Sequence, residues 1–428
     1  MKSPHFEKNV LAWALYDAAN SAFATTVMAV FFPIFFKQHL ATELEATTST
    51  FWLGVANGTS SFVLAVAAPW LGAMADRSNA HLRFLAAFTA MGIIPTALLA
   101  LVGPGDWPRA AVLFSIASLG FWGGLIFYDA LLVRIAPSER IDSVSAFGYA
   151  LGYLGGGLLL MVNALMYKEP TLFGLPNAET AIRASFPMVA TWWLLLGIPL
   201  LRSTPGVSRH AQIGRRGTLP DALARPLQTL RALRNYRPVV LFLLAYWMYI
   251  EGVNTIMKMA VDYGLALGFL PAHLIAGVLV VQFIGFPATL LFGWLADRVG
   301  PLVGIFVAIA VYTGVAFYAA VMTTIQQYFV LATAIGCVQG TIQAMSRSYY
   351  GRLIPAERAG EFYGFYNMMG KFAAVLGPLL MGTTAMLTDS SRMSMLPVAV
   401  LFAAGAAMLA FSRRAQLQAE CATSETVT

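Results

Sequence analysis

The stretch GAMADRSNAHLR, residues 72–83, returns as GWLADRVGPL at residues 293–302, with Gly72, Asp76 and Arg77 matched by Gly293, Asp297 and Arg298 at an offset of 221. A second pair keeps nearly the same spacing: RIAPSER at 134–140 recurs as RLIPAER at 352–358, an offset of 218. Each pair occupies the same relative place among the long apolar runs that surround it. The chain therefore reads as one unit written twice.

Composition says what kind of unit it is. Of 428 residues, 58% are hydrophobic and 11% charged, against roughly 25% charged in a typical soluble domain. Scanning for runs of about 20 apolar residues predicts helices near 10–36, 51–75, 84–103, 109–133, 143–166, 186–201, 238–263, 273–296, 301–322, 327–350, 361–388 and 394–411. The expected fold is an all-α membrane protein of twelve transmembrane helices in two pseudo-symmetric six-helix bundles. The first bundle takes residues 1–201 and the second 238–412, with a basic linker at 202–237 and a tail at 413–428. The run that follows MKSPHFEKN is too long and too poor in cleavage signals for a removable signal peptide, so it is expected to stay as the first helix.

The net charge of +7 sits in short loops, which argues for membrane orientation rather than a nucleic-acid partner. With the N-terminus inside, nineteen lysines and arginines fall in inner segments and five in outer loops. The positive-inside rule then places both termini in the cytoplasm, and the cell inner (plasma) membrane is the expected location. Cys337 and Cys421 offer neither a disulfide framework nor a metal cluster. A phosphate-binding G-x-x-x-x-G-K-S/T loop, His-x-x-x-His, Cys-x-x-Cys and Gly-x-Ser-x-Gly are all missing. Neither an enzyme nor a bound cofactor is expected.

Two six-helix halves, a basic middle loop and G-x-x-x-D-R after helices two and eight resemble the major facilitator superfamily of secondary transporters. Three further stretches, WALYDAANSAFATT at 13–26, YIEGVNTI at 249–256 and QAMSRSYYGRLIPAER at 343–358, resemble the vacuole-effluxer-like family. That family includes autophagy-linked vacuolar amino-acid effluxers of fungi and many bacterial relatives. The motif departs from the superfamily pattern after the arginine: SNAHLR keeps only His81 and Arg83 of the basic places, and the second copy has Pro301 and Leu302 there. The two loops are therefore not expected to work as identical charge latches.

Charges inside the spans are the candidate site, because a carboxylate within a membrane helix costs at least ~2.5 to 3.5 kcal/mol by insertion scales. Aligning D-A-A-N-S with E-G-V-N-T sets Asp17 against Glu251, Asn20 against Asn254 and Ser21 against Thr255, at an offset of 234. In the fold implied by the resemblance, helices one and seven line the central cavity, and these residues would face the solute path. Nine residues separate Lys8 from Asp17 and fourteen separate Arg237 from Glu251. At ~1.5 Å per residue Glu251 would lie about 7 Å deeper, which makes it the better proton carrier, with Asp17 the second. The plainer reading is that each acid accepts hydrogen bonds from neighbouring helices or pairs with a cation.

Lys371, ten residues beyond Glu361 and one turn past Asn367, would pair with Glu251 or bind the negative group of a solute. Gln339, Gln343 and Arg347 form a polar stripe on helix ten, and Trp247 and Tyr16 beside the two acids are cavity walls or plain packing. At the 218 offset Arg347 corresponds to Asp129, so the two could bridge across the halves and close the inner gate; otherwise Asp129 pairs locally with Arg77 or Arg83. Asp76, Arg77, Asp297 and Arg298 are expected to hold helix ends together in one conformation and release them in the other.

The function expected from all this is secondary active transport of a small polar solute by a monomer. The favoured solute is an amino acid, coupled to protons, with efflux favoured by the resemblance alone. Efflux of amphiphilic drugs is the rival within transport. A sensor or lipid scramblase on a transporter scaffold is the rival outside it.

Overall fold

The structure, a computed structural model, describes residues 4–203, 237–266, 268–388 and 396–425. The expected linker at 202–237 lies almost wholly outside these residues. Twelve long helices are present: α1, unbroken from Pro4 to Leu40, then α2 (Ala46–Ser78), α3 (His81–Leu98), α4 (Trp107–Ile135), α5 (Ile141–Lys168), α6 (Ala178–Arg202), α7 (Arg237–Ala266), α8 (Pro271–Val299), α9 (Pro301–Val321), α10 (Ile325–Leu353), α11 (Ala359–Thr388) and α12 (Leu396–Glu425). Eleven of them are long and apolar enough over their described residues to cross a membrane. The twelfth, α11, has 30 residues, also enough to span. The backbone of α12 stays helical to Glu425, through the stretch expected to be a tail.

An even number of crossings leaves both chain ends on one side, called here the termini face. The loops back to that side carry both G-x-x-x-D-R copies and both R-x-x-P-x-E-R copies. Helix α1 widens beyond Ala22 into π-helical turns over Phe23–Phe31 and Phe36–Leu40. The backbone N–H groups of Phe32 and Ala41 there bond five residues back, to the carbonyls of Val27 and Phe36. Such turns are uncommon and concentrate where function requires a special backbone.

Each half has its own apolar core. In the first half Phe23, Phe32, Phe114 and Trp193 form one cluster and Trp13, Tyr16, Phe127 and Tyr128 another. In the second, Phe242, Tyr249, Tyr312, Tyr350 and Phe402 pack together. Phe51, Phe62, Leu101 and Val400 are all more than 60% exposed, as lipid-facing residues should be.

Two helix pairs hold the halves together: α5 lies along α8, and α2 along α11. Glycine makes both approaches possible. A Cβ at Gly72 would run into the carbonyl of Gly360, and one at Gly364 into the carbonyl of Ala68. On the other seam a Cβ at Gly293 would strike the methyl of Ala146. Small residues at membrane helix crossings let backbones touch, where packing rather than the hydrophobic effect supplies the attraction.

Candidate functional site

The most densely bonded buried charges lie where the halves meet, toward the termini face. Arg347, 1% exposed, leaves α10 and enters the first half. Its Nη1 is 3.2 Å from Asp129 Oδ1 and 3.7 Å from Asp17 Oδ2. Its Nε donates to Ser145 Oγ at 3.0 Å and its Nη2 to the Ser145 carbonyl at 2.8 Å. The guanidinium also lies over the rings of Trp13, Tyr128 and Tyr149, at 4.8, 5.3 and 4.2 Å from their centroids.

The carboxylates are held in turn. The Tyr128 hydroxyl donates to Asp17 Oδ2 at 3.0 Å, and Asn367 Nδ2 from α11 donates to Asp129 Oδ2 at 3.1 Å. Trp13 Nε1 donates to the Tyr128 carbonyl while its ring stacks on Tyr128 at 4.5 Å, fixing that tyrosine. Buried ions are tolerable only when paired and hydrogen-bonded at nearly every site. This network meets that demand with groups from both halves, so it exists only while the halves are closed at this end.

Nearer the surface the two repeat-matched aspartates each cap a helix of the opposite half. Asp76 accepts from the backbone N–H groups of Gly360 (2.9 Å) and Glu361 (2.7 Å) at the start of α11. Asp297 accepts from Ser143 N–H (3.1 Å) near the start of α5. A carboxylate at a helix N-terminus satisfies orphan donors and the positive end of the dipole together. The copies are unequal: Asp76 is almost buried and also meets His81 Nε2 at 2.9 Å and Arg134 at 3.8 Å, whereas Asp297 is exposed. Arg352 pairs with Asp142 across the same seam as Asp297.

The remaining expected residues are spread above this closure. Glu251 is 1% exposed and accepts from the Thr255 hydroxyl at 3.5 Å. Lys8 lies inside α1, which runs past it to Pro4, and Asp17 and Glu251 both sit well within their helices. Of the two readings of Tyr16, cavity wall and plain packing, the second holds. Tyr16 is fully buried, bonded to Thr89 Oγ1 at 2.7 Å and stacked near Tyr128.

Asn20 is buried, with its Nδ2 lacking a hydrogen-bond partner among the described residues, and the same is true of Trp247 Nε1. Asn254 is partly buried one turn beyond Glu251. Gln339 Nε2 meets Met257 Sδ at 2.9 Å, and Gln343 accepts from the Tyr153 hydroxyl of α5 at 3.1 Å. The Lys371 ammonium lies over the ring of Trp122 on α4. Arg298 stacks on Trp294 of its own helix, and Arg77 is partly buried beside Asp76.

The profile of the family described as "Vacuole effluxer Atg22 like" matches residues 6–421. The chain belongs to that family. It is 36% identical over 409 residues, 95% of each chain, to a Bacillus subtilis protein described as "Uncharacterized MFS-type transporter YxiO". It is 25% identical to autophagy-related protein 22 of Yarrowia lipolytica, over 78% of this chain and 62% of that one. Among solved structures, the proton:xylose symporter XylE superposes with a TM-score of 0.72 at 13% identity over 96% of each chain. The transporter FucP does so with 0.68 at 11% identity over 96% and 99%. This Atg22-like protein is thus a multi-pass membrane transporter of the major facilitator fold, and members of that superfamily act on small molecules.

Several participants were not singled out from sequence. They are Tyr128, Ser145, Tyr149, Tyr153, Trp13, Trp122 and Asp142. The repeat held the missing signal: at the 218 offset Tyr149 matches Asn367 and Tyr153 matches Lys371. Each expected α11 residue thus had an equivalent on α5.

Proposed function

We propose that this Atg22-like protein is a proton-coupled secondary transporter that exports a small polar solute, an amino acid, by alternating access across the plasma membrane with both termini in the cytoplasm. The observation that carries the coupling is one guanidinium, Arg347, set between two buried carboxylates, Asp17 and Asp129. With both acids ionised the cluster holds one surplus negative charge in a buried place, which a single proton neutralises. That proton also removes one of the charge pairs tying the halves together. Proton loading therefore favours opening at the termini face, and proton loss favours closing.

Glu251, the counterpart of Asp17 on the equivalent helix, is the second proton-carrying carboxyl. Lys371 takes the solute's carboxylate. The unpartnered donors of Asn20 and Trp247 support a polar solute, since buried donors in native proteins almost always find an acceptor. Efflux is supported by the name of the family.

The test is uptake of a panel of radiolabelled amino acids into proteoliposomes with and without an imposed pH gradient. Gradient-driven accumulation is expected, and Asp17→Asn and Glu251→Gln should each reduce its response to pH. Flux that is indifferent to the gradient, or unchanged in both variants, overturns the coupling.

A further inference from the structure

The two seams carry equivalent cross-contacts one turn above the Arg347 cluster, and they differ in kind. On one, Tyr153 of α5 reaches into the second half. Its ring fits a slot where a Cβ at Gly285 would stand 3.1 Å from Cδ1 and one at Gly340 would stand 2.7 Å from Cε2, and its hydroxyl is on Gln343. The residue is 7% exposed. On the other, Lys371 of α11 occupies the equivalent place in the repeat, and Trp122 of α4 corresponds to Gly340, each at the 218 offset. Here the pocket holds a ring instead of a bare backbone, the incoming group is an ammonium, and both residues are only partly buried.

The ring is the fixed member, since Trp122 packs between the two apolar clusters of the first half. The lysine is the adjustable one, with a four-carbon stem and much rotamer freedom. A ring face attracts an ammonium and occupies one side of it, which leaves the other donors pointing away from the ring. The contact joins the two halves, so it cannot survive when α4 and α11 separate at the termini face.

We infer that Trp122 is a positioning residue for Lys371 that acts only while the termini face is closed, so that the solute's anionic group meets a preset ammonium from the opposite face of the membrane and a loose one from the termini face. This rests on the reading of Lys371 as the partner of the solute's carboxylate. Presetting lowers the entropy lost on binding, and it makes solute affinity unequal on the two sides.

The experiment replaces Trp122 alone with a fluorinated tryptophan, which keeps the shape and removes the attraction of the ring face. The first readout needs no solute: labelling of a cysteine introduced on the termini face, in a background without Cys337 and Cys421. Fluorination should raise labelling by about two- to thirtyfold, and should do nothing in Lys371→Gln. An equal rise in both backgrounds, or no rise, overturns the inference. The second readout is half-saturation for radiolabelled leucine, glutamine and tyrosine on each face. It should rise by a similar factor on the opposite face only, with Trp122→Tyr close to the parent. Flux that ignores Lys371→Gln sinks the reading of Lys371 itself. Flux that needs Lys371 while fluorination leaves both half-saturations unchanged sinks only the role given to Trp122.

Discussion

The seam where α5 meets α8 and α10 and the seam where α11 meets α2 and α4 are built to one plan and finished differently. At matched positions Ser143 and Glu361 present backbone N–H groups to Asp297 and Asp76. Tyr149 and Asn367 meet Arg347 and Asp129, and Tyr153 and Lys371 meet the Gly340 slot and the Trp122 ring. The α5 seam uses tyrosines against an arginine and ends in a sealed plug. The α11 seam uses an amide and an ammonium against an acid and a ring. Shared geometry brings the helices together; the side chains decide which seam can exchange its contacts for those of a solute.

The largest break in this comparison should come from Arg347, which bonds Ser145 of the α5 seam and Asp129, itself held by Asn367 of the α11 seam. Arg347→Met leaves Asp17 and Asp129 buried without their cation, a change worth about 3 to 5 kcal/mol. Flux should fall more than ~100-fold, and cysteines on the termini face should become labelled. The double exchange Asp129→Arg with Arg347→Asp should restore only part of the flux, because the new aspartate would face Asp17. Full restoration would show that Asp17 is no part of the closure.

The two caps sharpen the contrast. Asp76→Asn weakens two charge-assisted bonds in a nearly buried place, each kind of bond being worth about 1.5 to 3 kcal/mol. A tenfold or larger shift toward the state open at the termini face is expected in the same labelling assay. Asp297→Asn, exposed and with one such bond, should shift it less than about fivefold; equal effects would mean the two copies work alike. Tyr153→Phe removes a single hydrogen bond to Gln343, about 0.5 to 1.5 kcal/mol, while the ring still fills its slot. Labelling should change by about two- to tenfold and solute half-saturation not at all, whereas Lys371→Gln should move half-saturation most.

Much of the fold was legible because hydrocarbon imposes simple rules on a chain that crosses it. Apolar run length gave the helices, and the returned G-x-x-x-D-R and R-x-x-P-x-E-R stretches gave the two halves. The meeting of Asp129 with Arg347 was one of two pairings that the sequence left open, suggested by their matched positions in the repeat. The linker expected at 202–237 lies almost wholly outside the described residues. For Tyr16 the sequence left cavity wall and plain packing both open, because helical periodicity says which residues share a face, not whether that face turns to the cavity or to the bundle's own core.

By itself the sequence determined the number of spans and the places where charge must be sheltered, since both follow from what a lipid interior excludes, and the internal twofold, since the same motifs return at a nearly constant offset. Only the tertiary structure decided that Asp17 shares Arg347 with Asp129, that Asp76 and Asp297 reach across to α11 and α5, and that Lys371 rests on Trp122. Those contacts depend on how far two rigid bundles are rotated and slid against each other. That relation is fixed by glycine-sized gaps and side-chain fit along the seams, and no periodicity within a single helix contains it.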